Sequence, residues 1–201
     1  FNQYFVLNAM ARMGRHAEAM NTIDDCWGGQ IRYGATTFFE VFRPSWNLCS
    51  LGENDAPVNN QCGYTSLTHP WSAGVAKWLT EEVLGVKPET PGFGTFSVTP
   101  HLTSGLSRVS GDVPTPKGIV SFSLDVREGT SCLVVPDGTR ASLSLPLMGC
   151  RDLKVTLDGK PLAAEAFTPT HARFPEIGPG SHSLVIGYPS EPLGAEADEA
   201  L

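Results

Sequence analysis

The apolar residues of this chain change their period once, and that change restricts the fold to a helical part followed by a β part. Through about Leu84 they recur at helical spacing; after Phe93 they alternate, with Gly, Pro and Asp-Gly punctuation between short runs. In the first part Tyr4, Leu7 and Ala11, with Val6, Met10 and Met13, make one helix ended by Gly14. Ala17, Met20, Ile23 and Trp27 make a second, predicted to stop at Gly28-Gly29, and the tight link predicts an antiparallel hairpin. A third helix is predicted to begin near Thr37 and to end before Pro44, because proline disfavours the α region for the residue preceding it. A fourth is predicted from Trp71 to Leu84, with Pro70 in its first turn and Trp71, Val75, Trp78, Leu79 and Val83 on one face. The intervening stretch 45–69 is long for a loop in a compact domain, and a functional role is the expectation for it.

Beyond residues 87–93, whose Pro and Gly spacing reads as an interdomain connector, strands are predicted over 95–99, 106–111, 119–127, 131–135, 140–146, 153–157 and 183–188. Asp158-Gly159 is a hairpin turn signal between two of them. Short strands at regular turns predict an antiparallel β-sandwich over 94–190, after a helical domain over 1–86. The acidic tail 191–201 is expected to fray.

With 41% hydrophobic residues, the chain of 201 residues can bury an ordinary core. Its formal charge of -7 and scattered Lys and Arg argue against nucleic acid as a partner. No apolar run approaches the roughly 20 residues needed to span a bilayer, so no membrane partner is expected. Phe1 falls inside a predicted helix instead of a signal peptide, and it need not be a natural start. The five cysteines, Cys26, Cys49, Cys62, Cys132 and Cys150, form no C-x-x-C pair, so neither a metal nor another cofactor is expected. Cys49 and Cys62 flank a polar loop and close it as a disulfide if the protein is secreted; five free thiols are the alternative. The compartment stays open, with a secreted or periplasmic setting favoured over a cytoplasmic one.

For chemistry the pattern to explain is Ile31-Arg-Tyr-Gly-Ala-Thr-Thr-Phe-Phe-Glu40-Val-Phe42, which sets one carboxylate among aromatics. Thr37-x-x-Glu40 also reads as a capping box, in which both side chains satisfy orphan N-H groups at a helix start. All four tryptophans lie in the helical part. Trp78 reads as core, whereas Trp27 and Trp71 suit a pocket mouth or the core equally. Rings beside carboxylates suit sugars, whose C-H faces stack while their hydroxyls take hydrogen bonds. His69, in Thr68-His-Pro-Trp71, is placed to hold a ligand hydroxyl or to serve a local cap. No G-x-S-x-G, P-loop or H-E-x-x-H occurs.

Taken in order, Phe5-Val-Leu-Asn-Ala-Met-Ala-Arg-Met-Gly14, Cys26-Trp27-Gly28, Gly34-Ala-Thr-Thr-Phe-Phe-Glu40, Thr68-His-Pro-Trp-Ser-Ala-Gly74 and Leu84-Gly-Val-Lys-Pro-Glu-Thr-Pro-Gly-Phe93 resemble the C-terminal part of bacterial-type α-L-rhamnosidases, glycoside hydrolase family 78. Val98-Thr-Pro-His-Leu102 and Gly111-Asp-Val-Pro-Thr-Pro-Lys-Gly118 resemble that family's C-terminal β domain. The resemblance implies a mixed, two-domain fold: a partial α/α toroid, the last hairpins of an (α/α)6 barrel, followed by the sandwich. It implies hydrolysis of terminal α-L-rhamnosides by an inverting pair of carboxyl groups set roughly 6.5–9.5 Å apart. Glu40 would be the general base, Trp27, His69 and Trp71 would surround the sugar, and a rhamnose-containing glycoside would be the partner. The general acid would lie in a missing upstream part of the same polypeptide, leaving this stretch inactive alone. Only about four of roughly twelve barrel helices are visible, so exposed apolar patches are expected on the first two. A non-catalytic carbohydrate-binding module and a purely structural one are the competing readings. Against the former, the β part has no Trp or Tyr before Tyr188.

Overall fold

A computed structural model describes residues 2–44, 66–103, 105–150 and 152–188. The predicted features at Trp46, Cys49, Cys62 and the tail 191–201, and most of the long loop, lie outside the described residues. The chain divides into two compact units, Phe1–Leu79 and Thr80–Leu201. Among the described residues no helix is long and apolar enough to cross a membrane.

In the first unit α1 (Gln3–Arg12) ends at Gly14, where Arg15 N-H reaches back to Met10 O at 2.9 Å and Gly14 N-H to Ala11 O at 2.9 Å. The antiparallel partner α2 (His16–Ile23) does not stop at Gly28-Gly29. It runs through a π turn, Asp24–Gly28, into α3 (Gly29–Arg32), and Gly28 and Gly29 themselves hold helical backbone angles. Glycine permits a helix end without imposing one, and the Asp24 carboxylate, bonded to Arg32 Nη1 at 3.0 Å, braces the turn from outside. Leu7, Ala19, Ile23, Trp27, Val75 and Trp78 are buried. Phe5 and Val6 on α1, Met13 at its C-cap and Ile31 on α3 are exposed, so exposed apolar residues are seen on α1 as expected.

The helix predicted from Thr37 is absent, and residues 37–43 form no regular helix. Seven residues are too few to sustain a helix unaided, and the N-H groups of Phe39 and Glu40 find partners far away in the chain. The next helix starts as a 3-10 turn, Pro70–Ala73, continues as α4 (Gly74–Trp78), and passes into a π turn, Leu79–Val83. Its buried stripe is Val75, Trp78 and Val83; Trp71, assigned to that stripe by periodicity, is 72% exposed because the 3-10 turn offsets it from the α-helical register.

The second unit is β-rich and built of two sheets. One has the order β1-β2-β6-β10-β9, from Val86–Pro88, Thr95–Val98, Arg140–Pro146, His171–Arg173 and Ala166–Phe167. The other has the order β3-β4-β5-β11-β7-β8, from Arg108–Thr115, Gly118–Asp125, Thr130–Val135, Gly180–Ile186, Val155–Leu157 and Lys160–Leu162. Alternate residues from both sheets form one core: Val120, Phe122 and Leu124 of β4, Leu133 and Val135 of β5, Phe96 and Val98 of β2, Ala141, Leu143 and Leu145 of β6, and Leu184 and Ile186 of β11. Among the described residues pairing is antiparallel with one exception, since β2 and β6 run parallel with Phe96 opposite Ala141. The strands between them belong to the other sheet, and that long excursion lets the chain return in the same direction. The stretch 87–93, predicted as a connector, is tied into the sheet. Val86–Pro88 pairs with β2, and Glu89 N-H and Thr90 N-H both reach Thr95 O, at 2.9 and 3.2 Å.

The Asp158-Gly159 turn joins β7 to β8 with both residues at positive φ, 50° and 77°, as a two-residue hairpin requires. Asp158 Oδ1 accepts from Ser183 N-H at 2.8 Å and Oδ2 lies 2.8 Å from His182 Nδ1. These contacts, the Ser183 N-H first, hold the Asp158 carboxyl below its ordinary range. A carboxyl depressed in the folded state contributes stability above its unfolded pKa and loses it as pH falls through the folded one. The thermal stability gap between wild type and Asp158→Asn is therefore expected at about pH 6 and should shrink as pH falls below about 4. Scanning calorimetry of both proteins across that window checks it, and a gap that does not change with pH would remove the charge from the account.

Candidate functional site

The helical unit places Glu40, His69 and Trp71 on two segments, 37–40 and 66–71, that pair in opposite directions. The first follows α3, which ends at Gly34 (φ 97°) with Ala35 N-H on Gln30 O at 2.9 Å and Gly34 N-H on Ile31 O at 2.9 Å. That closure turns the chain sharply, and residues 37–40 leave it without regular secondary structure. Glu40 N-H then donates to Ser66 O at 2.9 Å, and Ser66 N-H donates to Glu40 Oε2 at 3.1 Å. Farther along, His69 N-H donates to Phe38 O at 2.7 Å, and Thr37 Oγ1 donates to Leu67 O. The capping box expected of Thr37 and Glu40 is thus absent. Both side chains bond, but across segments some thirty residues apart in sequence and not at a helix start.

Glu40 is half-buried, and the aromatic cluster beside it consists of Tyr33, Phe39 and Phe42. Tyr33 meets Phe39 edge-on at 6.4 Å and Phe42 at 6.2 Å. On the second segment the rings of His69 and Trp71 meet edge-on at 6.2 Å, with His69 half-buried and Trp71 open to solvent. Trp27 takes the core alternative, being only 7% exposed. Its indole N-H donates to Ser72 O at 3.0 Å, so it lies under the turn that carries Trp71 and not at a pocket mouth. A buried indole needs a partner for its one donor, and Ser72 supplies it. Beside it, burial first and then the Asp25 carboxylate push the Cys26 thiol up, which disfavours a thiolate nucleophile there.

The two segments thus carry one carboxylate with an oxygen fixed by a backbone N-H, one imidazole and one solvent-facing indole. The carboxylate can take a proton, the ring can stack on a C-H face, and the imidazole can bond a hydroxyl. Residues 85–156 match the family described as the bacterial alpha-L-rhamnosidase C-terminal domain. The match opens with β1 and runs into β7, so it is the β unit that is similar to that C-terminal domain.

Two α-L-rhamnosidases are related in sequence. That of Alteromonas sp. (strain LOR) is 37% identical over 120 residues, 60% of this chain and 11% of its own length. That of Formosa agariphila is 30% identical over 131 residues, 64% of this chain and 13% of its own. The chain therefore spans only about a tenth of the curated relatives it matches. Among solved structures, the α-L-rhamnosidase of Dictyoglumus thermophilum gives a TM-score of 0.72 at 18% identity, over 90% of this chain and 20% of that one. The Streptomyces avermitilis α-L-rhamnosidase, solved in complex with L-rhamnose, gives 0.69 at 22% identity, over 89% and 17%. At those identities the likeness is one of fold.

Two contributors to the site carry no sequence signal of the usual kind. Ser66 acts through its main chain, which no side-chain pattern reveals. Gln30 is 6% exposed and accepts the Phe39 N-H through Oε1 at 3.0 Å. Its only mark in the sequence is a polar residue three positions after Trp27, on what becomes the buried side of the helix.

Proposed function

We propose that the full-length protein hydrolyses terminal α-L-rhamnosides with inversion, and that Glu40 is the general base. The observation that carries this is the fixing of Glu40: one carboxylate oxygen is held by Ser66 N-H at 3.1 Å, on a segment paired with the one bearing His69 and Trp71. A base must hold its oxygen at a set place and orientation to take a proton from water at the moment of attack. In the reaction, water loses a proton to Glu40 while its oxygen bonds to the anomeric carbon from the face opposite the glycosidic bond. That bond breaks with its electron pair going to the leaving oxygen, which is protonated by a carboxylic acid supplied upstream in the same polypeptide.

In this reading the helices of the first unit are the closing part of an (α/α)6 barrel. Trp71 offers a stacking face, His69 bonds a sugar hydroxyl, and Trp27 acts indirectly by holding the Ser72 carbonyl and so the turn beneath Trp71. The relatives named as α-L-rhamnosidases and the neighbour solved with L-rhamnose support the substrate class.

The test is the anomer first released from an aryl α-L-rhamnoside by the full-length protein, followed by proton NMR before mutarotation. β-L-Rhamnose is expected. The α anomer would replace the inverting scheme by a retaining one, and no release of rhamnose would overturn the reading.

A further inference from the structure

We infer that Gln30 is a positioning residue for Glu40, an inference that rests on the reading of Glu40 as the base. Gln30 closes the chain reversal between α3 and Glu40 at both ends. Its main-chain oxygen accepts Ala35 N-H at 2.9 Å, and its side-chain Oε1 accepts Phe39 N-H at 3.0 Å, one residue before Glu40. Both Gln30 and Phe39 are buried, so losing that oxygen would leave a backbone donor with little access to another partner. From the other side, Ser66 holds Glu40 through its N-H and its Oε2. Glu40 is thus fixed between two anchors, one on the helix and one on the segment leading to His69.

Removing the Gln30 oxygen strands a buried backbone N-H, which satisfies itself only if residues 38–40 shift. A shift of about 1 Å in a catalytic group costs on the order of 100-fold in rate. Gln30 touches neither water nor sugar in this scheme and acts wholly through the place of Glu40.

The experiment is steady-state hydrolysis of an aryl α-L-rhamnoside by the full-length protein carrying Gln30→Met, Gln30→Glu, Glu40→Gln, or Gln30→Met with Glu40→Gln. Gln30→Met keeps the length of the side chain and loses the acceptor. It is expected to lower kcat by roughly 10- to 100-fold with KM within about threefold of wild type. Gln30→Glu retains an acceptor at the same reach and is expected to recover most of that loss. Combined with Glu40→Gln, Gln30→Met should add nothing further, because the group it positions is already inert. Should Gln30→Met fail to fold, Gln30→Asn, one methylene too short for the bond, replaces it with the same expected loss.

Wild-type kcat in Gln30→Met or Gln30→Asn would overturn the inference while leaving Glu40 as base. Fully additive losses in the double variant would overturn it as well. An active Glu40→Gln would instead sink the reading of Glu40 beneath it.

Discussion

Glu40→Gln in the full-length protein is expected to lower kcat for an aryl α-L-rhamnoside by roughly 100- to 10,000-fold, the range a positioned general base contributes. KM should change little, because the proton is transferred only in the transition state and ground-state contacts to the sugar stay in place. The fold should survive. Glutamine keeps a carbonyl oxygen where Oε2 accepts the Ser66 N-H at 3.1 Å, and the backbone bond from Glu40 N-H to Ser66 O is untouched. A stability loss under about 1 kcal/mol is therefore expected, the size of one weakened hydrogen bond. The pair of measurements separates chemistry from architecture. A variant as active as wild type would leave Glu40 as a structural link between two segments. A variant that loses activity and stability together would show that the carboxylate charge itself holds those segments.

How far the sequence foretold this arrangement depends on where each residue finds its partners. The β unit was legible because burial in a two-sheet core enforces alternation: Arg140–Pro146 was predicted to the residue, and the inward Ala141, Leu143 and Leu145 follow from the pattern alone. The Asp158-Gly159 turn was legible because few residue pairs adopt two successive positive φ angles. The stretch around Glu40 was misread as a helix start because its residues satisfy a local rule, while Phe39 N-H and Glu40 N-H bond to Gln30 and Ser66, 9 and 26 residues away. The second helix was cut short for a related reason. Gly28-Gly29 is a frequent stop, but the π turn keeps the helix going and carries Gln30 into its buried position under Phe39. Glu40 itself was picked out by residue type and surroundings; its fixing by Ser66 had no trace in the sequence.

Gly85→Ala is expected to destabilise the second unit by about 2–5 kcal/mol, for two separable reasons. Gly85 has φ 85°, where a side chain costs about 1–2 kcal/mol in backbone strain. A Cβ there would also lie 2.2 Å from the Thr99 carbonyl carbon and 2.4 Å from Pro100 N. Both are backbone atoms, so no rotamer change relieves the clash. The strand carrying them would have to move, breaking the Thr99 N-H to Gly85 O bond of 2.9 Å and loosening β1 from β2. Overpacking of this kind adds about 1–3 kcal/mol. Gly92 is the control, since its φ is 70° but a Cβ there would meet nothing within 4 Å. Gly92→Ala should therefore cost only the conformational part, about 1–2 kcal/mol. Urea unfolding of the two variants beside wild type isolates the steric share as their difference. Equal losses would mean that the backbone around Thr99 and Pro100 yields, and that the seam between β1 and β2 is softer than its close approach implies.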